Sequence, residues 1–219
     1  MKRLFDIASS LLALSVLLLP LLIVMLILRC TGEHQVFYRQ KRVGLNGRRF
    51  MVLKFATMHK NSESQGTGEI TLRNDPRVLP FGRILRATKL NEIPQLINVL
   101  AGDMSVIGWR PLPDRAFSCY SMDVQQQIVK IRPGLSGIGS ILFRDEEALT
   151  SRGHKPPEVI YKEDIAPYKG ELELWYQKNR CFWLDMKLIL LTLIAVIRPH
   201  GRHHENWLDG LPPRPASLR

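Results

Sequence analysis

From Ile7 to Leu28 the chain runs 22 residues without a charged side chain, and most of that run reads LLALSVLLLPLLIVMLIL. As a helix rising about 1.5 Å per residue it would be about 33 Å long, close to the roughly 30 Å hydrocarbon core of a bilayer. A globular domain of this size rarely buries a helix that is apolar on every face. The run is also too long for a signal peptide, and its exit, Leu28-Arg29-Cys30-Thr31, has no small-x-small cleavage pattern. The sequence therefore predicts a membrane-inserted helix within residues 1–30.

Cations stand at both ends of this segment: Lys2 and Arg3 before it, Arg29, Arg39, Lys41 and Arg42 after it. The positive-inside rule cannot orient a straight span with such flanks, and is satisfied if both ends stay on the cytoplasmic side. Pro20 offers a way: it has no N–H and displaces the carbonyl four residues back, that of Val16, so a membrane kink is expected there. A helix broken at that point enters one leaflet and returns. A straight span carrying a tolerated proline is equally open at this stage.

The net charge follows the anchor. Thirty-one Lys and Arg against 20 Asp and Glu give +11, of which residues 1–60 carry +8 and the other 159 residues only +3. Basic residues beside an anchor attract anionic membrane lipids, each by about 1 kcal/mol. No nucleic-acid recognition module is present, so nucleic acid is not an expected partner. With 45% hydrophobic and 23% charged residues, the composition excludes wholesale disorder and a many-helix membrane protein. Cys30, Cys119 and Cys181 are odd in number and far apart, which gives neither a disulfide framework nor a C-x-x-C metal site.

Beyond the anchor, VFYRQKRV and RFMVLKFAT flank Asn46-Gly47, a strong hairpin signal near residues 36–57. His59 to Asn74 is polar and reads as a loop. Short helices are expected over 81–89, over 92–100 with Asn91 as N-cap and Pro94 in the first turn, over 123–131, and over 158–178 with a break at Pro167. Residues 133–139 read as a glycine-rich loop. Phe182 to Ile197 is apolar but short for a span and carries Asp185 and Lys187, so an interfacial helix or one packed on the domain is expected. The tail over 200–219, with His200, His203 and His204, is expected to be disordered. The fold class is α+β and mostly helical. Residues 1–30 form a re-entrant or membrane-inserted helix, and 31–199 a small cytoplasm-facing domain with interfacial helices.

Arg83 to Glu92 places three cations in front of a helix start bearing a carboxylate, and Gly108-Trp109-Arg110-Pro111 adds another Arg in a rigid turn. Free N–H groups, the helix dipole and guanidinium groups favour anions. On a membrane-apposed domain this points to phosphate handling at a lipid surface.

The segment LRATKLNEIPQLINVLAGDMSVIGWRP resembles the signature of the bacterial sugar transferases, the monotopic phosphoglycosyl transferases. The anchor with its proline, QVFYRQKRVGLNGRRFMVLKFATM, NDPRVLPFGRILR and RPGLSGIG extend the likeness over nearly the whole chain. The resemblance implies transfer of a sugar-1-phosphate from a nucleotide sugar, UDP-linked, to polyprenyl (undecaprenyl) phosphate. It implies Mg2+, the first membrane step of surface glycan biosynthesis, and the bacterial inner membrane with the active site facing the cytoplasm. A homodimer is one assembly state left open. By the same resemblance Asn91 and Glu92 occupy the catalytic pair, Glu92 being the metal ligand or acid/base. Arg86, Arg110 and Lys54 are the phosphate-binding cations, and Arg132, Pro133, Gly134 and Gly137 belong to a loop near the nucleotide.

Four departures from the family pattern stand out. Asn91 holds the position of the family's aspartate nucleophile, and an amide is a poor nucleophile. Ala56 replaces an arginine in Lys54-Phe55-Ala56-Thr57-Met58. Trp109 replaces a proline in Gly108-Trp109-Arg110-Pro111, and Leu19 a serine often found before the anchor proline. Three readings follow: an active enzyme using Glu92 or Asp103 as nucleophile or transferring directly to the lipid phosphate; a degenerate member that binds lipid phosphate or a partner without turnover; or an asparagine introduced to trap the enzyme.

Overall fold

A computed structural model describes residues 1–64, 71, 74–150, 155–197 and 207–218. Helices α1 (Lys2–Val16) and α2 (Leu18–Cys30) come first, then strands β1 (Phe37–Val43) and β2 (Arg49–Phe55). Helix α3 (Pro80–Ala87), the 3-10 turn Leu90–Glu92, α4 (Gln95–Ala101) and β3 (Ser105–Ile107) follow. The remainder is α5 (Asp114–Phe117), α6 (Met122–Ile128), β4 (Gly134–Ser136), α7 (Ile138–Leu142), α8 (Glu146–Thr150), α9 (Pro157–Ile160), the π-turn Tyr161–Ile165, α10 (Ala166–Asn179) and α11 (Phe182–Ile197).

The apolar segment is two helices, not one. They meet at Leu17 with a 64° bend, and no single helix among the described residues is long and apolar enough to cross a membrane. The break falls where the missing N–H of Pro20 leaves the carbonyl of Val16 without its helical partner. Leu11, Leu12, Leu19, Leu22, Ile23 and Leu26 are exposed around it, whereas Val24 and Leu28 pack on Phe55 and Leu85.

The polar start of α1 grips the domain. Lys2 Nζ donates to Ile107 O at 3.0 Å and lies 2.5 Å from Asp185 Oδ2, and Tyr176 Oη donates to Asp185 Oδ1. Arg3 donates to the carbonyls of Val99 and Leu100 at the end of α4, where the helix dipole favours a cation. Asp6 is buried and accepts from Ser105 Oγ and Val106 N at 2.9–3.0 Å.

The expected hairpin forms: β1 and β2 pair antiparallel from Phe37↔Phe55 to Val43↔Arg49, and Asn46 and Gly47 take the positive φ values the turn requires. The glycine-rich stretch does not form an open loop. It makes β4, which pairs parallel with β3. A Cβ on Gly134 would collide with Gly108 N, and one on Gly137 with Gly108 O, so these glycines serve a close backbone approach. The second helix starts at Gln95, not at residue 92. Asn91 lies inside the 3-10 turn instead of capping the helix, because Lys89, at φ 61, and Pro94, with no N–H, divide the segment.

The break before Pro167 is a π-turn, the local widening that a proline ring imposes on the turn ahead of it. The main core gathers Trp109, Ile128, Ile138, Leu172, Tyr176, Leu188 and Leu191 from β3's exit and from α6, α7, α10 and α11. Helix α11 buries Leu184, Leu188 and Leu191 against it and leaves Trp183, Leu193 and Ile197 exposed. Much of the polar run 59–74 and the three tail histidines fall outside the described residues. From Trp207 to Leu218 the tail differs from the expected disorder. Leu208 and Leu218 are buried in the main core, and Pro212 O accepts from Tyr168 Oη, because leucines spaced along the tail find apolar cover there.

Candidate active site

Glu92 is the centre of the site. Lys89 ends α3's exit in a left-handed turn, and the 3-10 turn that follows sets Glu92 inward with its side chain 13% exposed. Strand β2 is pinned against α4 by Asn98, whose Nδ2 donates to Met51 O and whose Oδ1 accepts from Leu53 N. That lock brings Lys54 Nζ to 3.9 Å from Glu92 Oε1. Arg110 comes from the exit of β3. There Trp109 is buried, its Nε1 donates to Ile131 O, and its carbonyl accepts from Gly134 N. Trp109 in place of a family proline is therefore a core side chain that roots the turn.

Arg110 meets Glu92 as a fork, Nη2 to Oε1 at 2.5 Å and Nη1 to Oε2 at 3.3 Å. Burial alone would raise the Glu92 pKa, but Arg110, Lys54 and Lys89 outweigh it and hold the carboxyl well below the usual range. Burial, and then the neighbouring Arg42, push the Lys54 ammonium down to about 7 against the pull of Glu92. Burial lowers Lys89 as well. Arg86 also disfavours the charged form of Lys54, and its Nη2 lies 2.6 Å from Glu147 Oε1 on α8. Three cations (Arg110, Lys54 and Lys89) thus act on one carboxylate, with Arg42 and Arg86 beside Lys54 and with Glu146 and Glu147 at the margin.

Of the residues read from the sequence, Glu92, Lys54, Arg86 and Arg110 come together. Asn91 is adjacent in the chain and buried, and its Oδ1 has no hydrogen-bond partner. Arg132 does not join them. Its Nε donates to Gly102 O, at the far end of α4. Asp103 also lies at that end, its Oδ2 3.5 Å from Asn98 Nδ2. Ala56, where the family has a cation, is buried. Lys89 is one of the three cations read ahead of this helix start; the sequence reading gives no site role to Arg42, Glu146 and Glu173, the last because Lys169 and Glu173 on α10 look like an ordinary surface i,i+4 pair.

No group of three His, Cys, Asp or Glu side chains among the described residues is arranged as a metal cage. A magnesium ion that takes its other oxygens from substrate phosphates and water needs only one or two carboxylates. Glu92, with the unpartnered Asn91 Oδ1 beside it in sequence, meets that demand.

Comparison with known proteins gives the same direction. Residues 1–199 match the bacterial sugar transferase family. An uncharacterized sugar transferase of Bacillus subtilis, EpsL, is 31% identical over 206 residues, which cover 94% of this chain and 92% of the relative. The exopolysaccharide production protein ExoY of Sinorhizobium fredii is 32% identical over 216 residues, 92% of this chain and 88% of its own length. The undecaprenyl-phosphate galactose phosphotransferase of Salmonella typhimurium is 30% identical over 217 residues, 93% of this chain. The chain spans 42% of that protein's length, and 42% of the UDP-galactose-lipid carrier transferase of Erwinia amylovora.

Proposed function

This chain belongs to the bacterial sugar transferase family, and on that premise we propose that it transfers a sugar-1-phosphate from a UDP-type nucleotide sugar to undecaprenyl phosphate. The observation that carries the proposal is the Arg110–Glu92 fork set among Lys54, Arg86 and Lys89, a half-buried cluster of cations suited to a pyrophosphate and a lipid phosphate together. In-line phosphoryl transfer asks mainly for positioning and charge neutralisation. Glu92 would hold Mg2+, which when bound supplies further neutralisation of the phosphates.

The route that fits the side chains is direct displacement. Glu92 is assigned to Arg110 and to the metal and not to attack, Asp103 lies at the other end of α4, and residue 91 is an amide. A lipid phosphate oxygen therefore attacks the β-phosphorus, one P–O bond forms, and the bond to the α-phosphate breaks to release nucleoside monophosphate. Arg86, Arg110 and Lys54 bind the phosphoryl oxygens. The bent pair α1–α2 supports a re-entrant anchor with both ends on the cytoplasmic side, which holds this site beside the lipid headgroups.

The test is release of nucleoside monophosphate from a panel of UDP-sugars with undecaprenyl phosphate and Mg2+. Release with one donor is expected, and no release with any donor overturns the reading. Direct displacement further predicts that labelled nucleoside monophosphate does not exchange into the nucleotide sugar when the lipid is absent. Exchange, or a phosphosugar-protein adduct, would replace it with a covalent route.

A further inference from the structure

Two neighbouring acids on α8 hold cations from two separate elements. Glu146 Oε2 lies 2.5 Å from Lys169 Nζ on α10, and the Lys169 side chain is 4% exposed. The same ammonium lies 5.3 Å from the Phe143 ring centroid and 5.7 Å from that of Tyr161. Glu147 Oε1 lies 2.6 Å from Arg86 Nη2 on α3, and this pair is open to water, its side chains 45% and 26% exposed. The buried pair fixes where α8 sits. The open pair is placed by it, across the 61 positions that separate Arg86 from Glu147.

A half-exposed ion pair contributes little, because water competes for both groups. It is a contact that a better anion can take over, one that offers the guanidinium more charge than a single carboxylate does. A phosphate monoester carries about two negative charges at neutral pH and three acceptor oxygens. The phosphodiester of an anionic lipid headgroup carries one charge, no more than Glu147. A cation cluster beside a membrane is always exposed to such headgroups. We propose that Glu147 is a specificity-determining residue: it competes with phosphate for Arg86, so that a pyrophosphate or a lipid phosphomonoester displaces it and the surrounding phosphodiester headgroups do not. This role rests on the transferase reading for the phosphates in play, but not for the competition itself.

The experiment uses the full chain in nanodiscs of phosphatidylcholine, alone or mixed with phosphatidylglycerol, and measures UDP binding by calorimetry in the presence of Mg2+. The variants are Glu147→Gln, Arg86→Ala and the double variant Glu147→Gln/Arg86→Ala. In phosphatidylcholine, Glu147→Gln is expected to bind UDP about 3-fold more tightly, the scale of one exposed ion pair removed. Adding phosphatidylglycerol weakens UDP binding more in Glu147→Gln than in the wild type, because the diester headgroup then reaches Arg86. In the Arg86→Ala background, Glu147→Gln changes neither quantity, since the two act through one group.

Equal or weaker UDP binding in Glu147→Gln overturns the proposal, the weaker result making Glu147 a support for Arg86. The same tightening in the Arg86→Ala background overturns it as a general effect of charge, and so does an equal response to phosphatidylglycerol in variant and wild type. If the wild type releases no nucleoside monophosphate, the transferase reading fails and the UDP titrations still decide the role of Glu147. If Arg86→Ala does not fold, Arg86→Gln replaces it in the same comparison.

Discussion

Arg110 holds Glu92 by both ends of its guanidinium, with Nη2 2.5 Å from one carboxylate oxygen and Nη1 3.3 Å from the other. Such a fork fixes direction as well as charge, and a lysine cannot reproduce it. Arg110→Lys should therefore lower kcat/KM by about 100-fold, the scale for losing one donor aimed at developing charge. Glu92→Gln should abolish turnover. Steady-state release of nucleoside monophosphate measures both, and retained activity in Glu92→Gln would refute the role given to that carboxylate.

The anchor's attachment to the domain depends on Asp6. Replacing it by Ala leaves Ser105 Oγ–H and the Val106 N–H buried without an acceptor, at a cost of about 1–3 kcal/mol. Thermal unfolding in detergent should show a Tm lowered by several degrees, with Asp6→Asn less affected because its amide oxygen still accepts. An unchanged Tm in Asp6→Ala would show that the α1 clamp contributes nothing.

Gly137 distinguishes two reasons for a glycine. The sequence suggests a loop near the nucleotide, whereas the structure sets Gly137 against the Gly108 carbonyl with no room for a Cβ. Gly137→Ala should force β4 from β3, lowering Tm and turnover together, because Arg110 lies two residues beyond Gly108. A variant with normal Tm and only a raised KM for nucleotide sugar would support the nucleotide-loop role instead.

Glu173 makes stability pH-dependent. Burial raises its carboxyl from an ordinary 4.5 to about 8, so the folded chain binds this proton more tightly than the unfolded chain does. Its contribution to stability is complete below about pH 4.5 and is lost as pH rises through 8. Glu173→Gln has no proton to lose. The Tm difference, variant minus wild type, should be near zero at pH 4.5, grow toward pH 8 and then level off. A difference that stays flat across this range would mean that the carboxyl is not held protonated.

The sequence alone determined whatever depends on local periodicity or on one residue's covalent chemistry. The Asn46-Gly47 hairpin follows from positive φ at the turn, the break ahead of Pro20 from the N–H a proline lacks, and the π-turn before Pro167 from the same cause. Glu92, Arg86, Arg110 and Lys54 were legible because their order in the chain matches a family signature. Tertiary structure alone decided what depends on packing between distant segments. Gly134 and Gly137 look like a ligand loop until β4 is laid on β3, and Trp109 looks like a lost proline until its ring fills the core. Lys169 and Glu173 look like a solvated pair until α10 is buried. Burial splits that pair: Lys169 meets Glu146, and the Glu173 carboxyl is left shielded from water, which favours its neutral form.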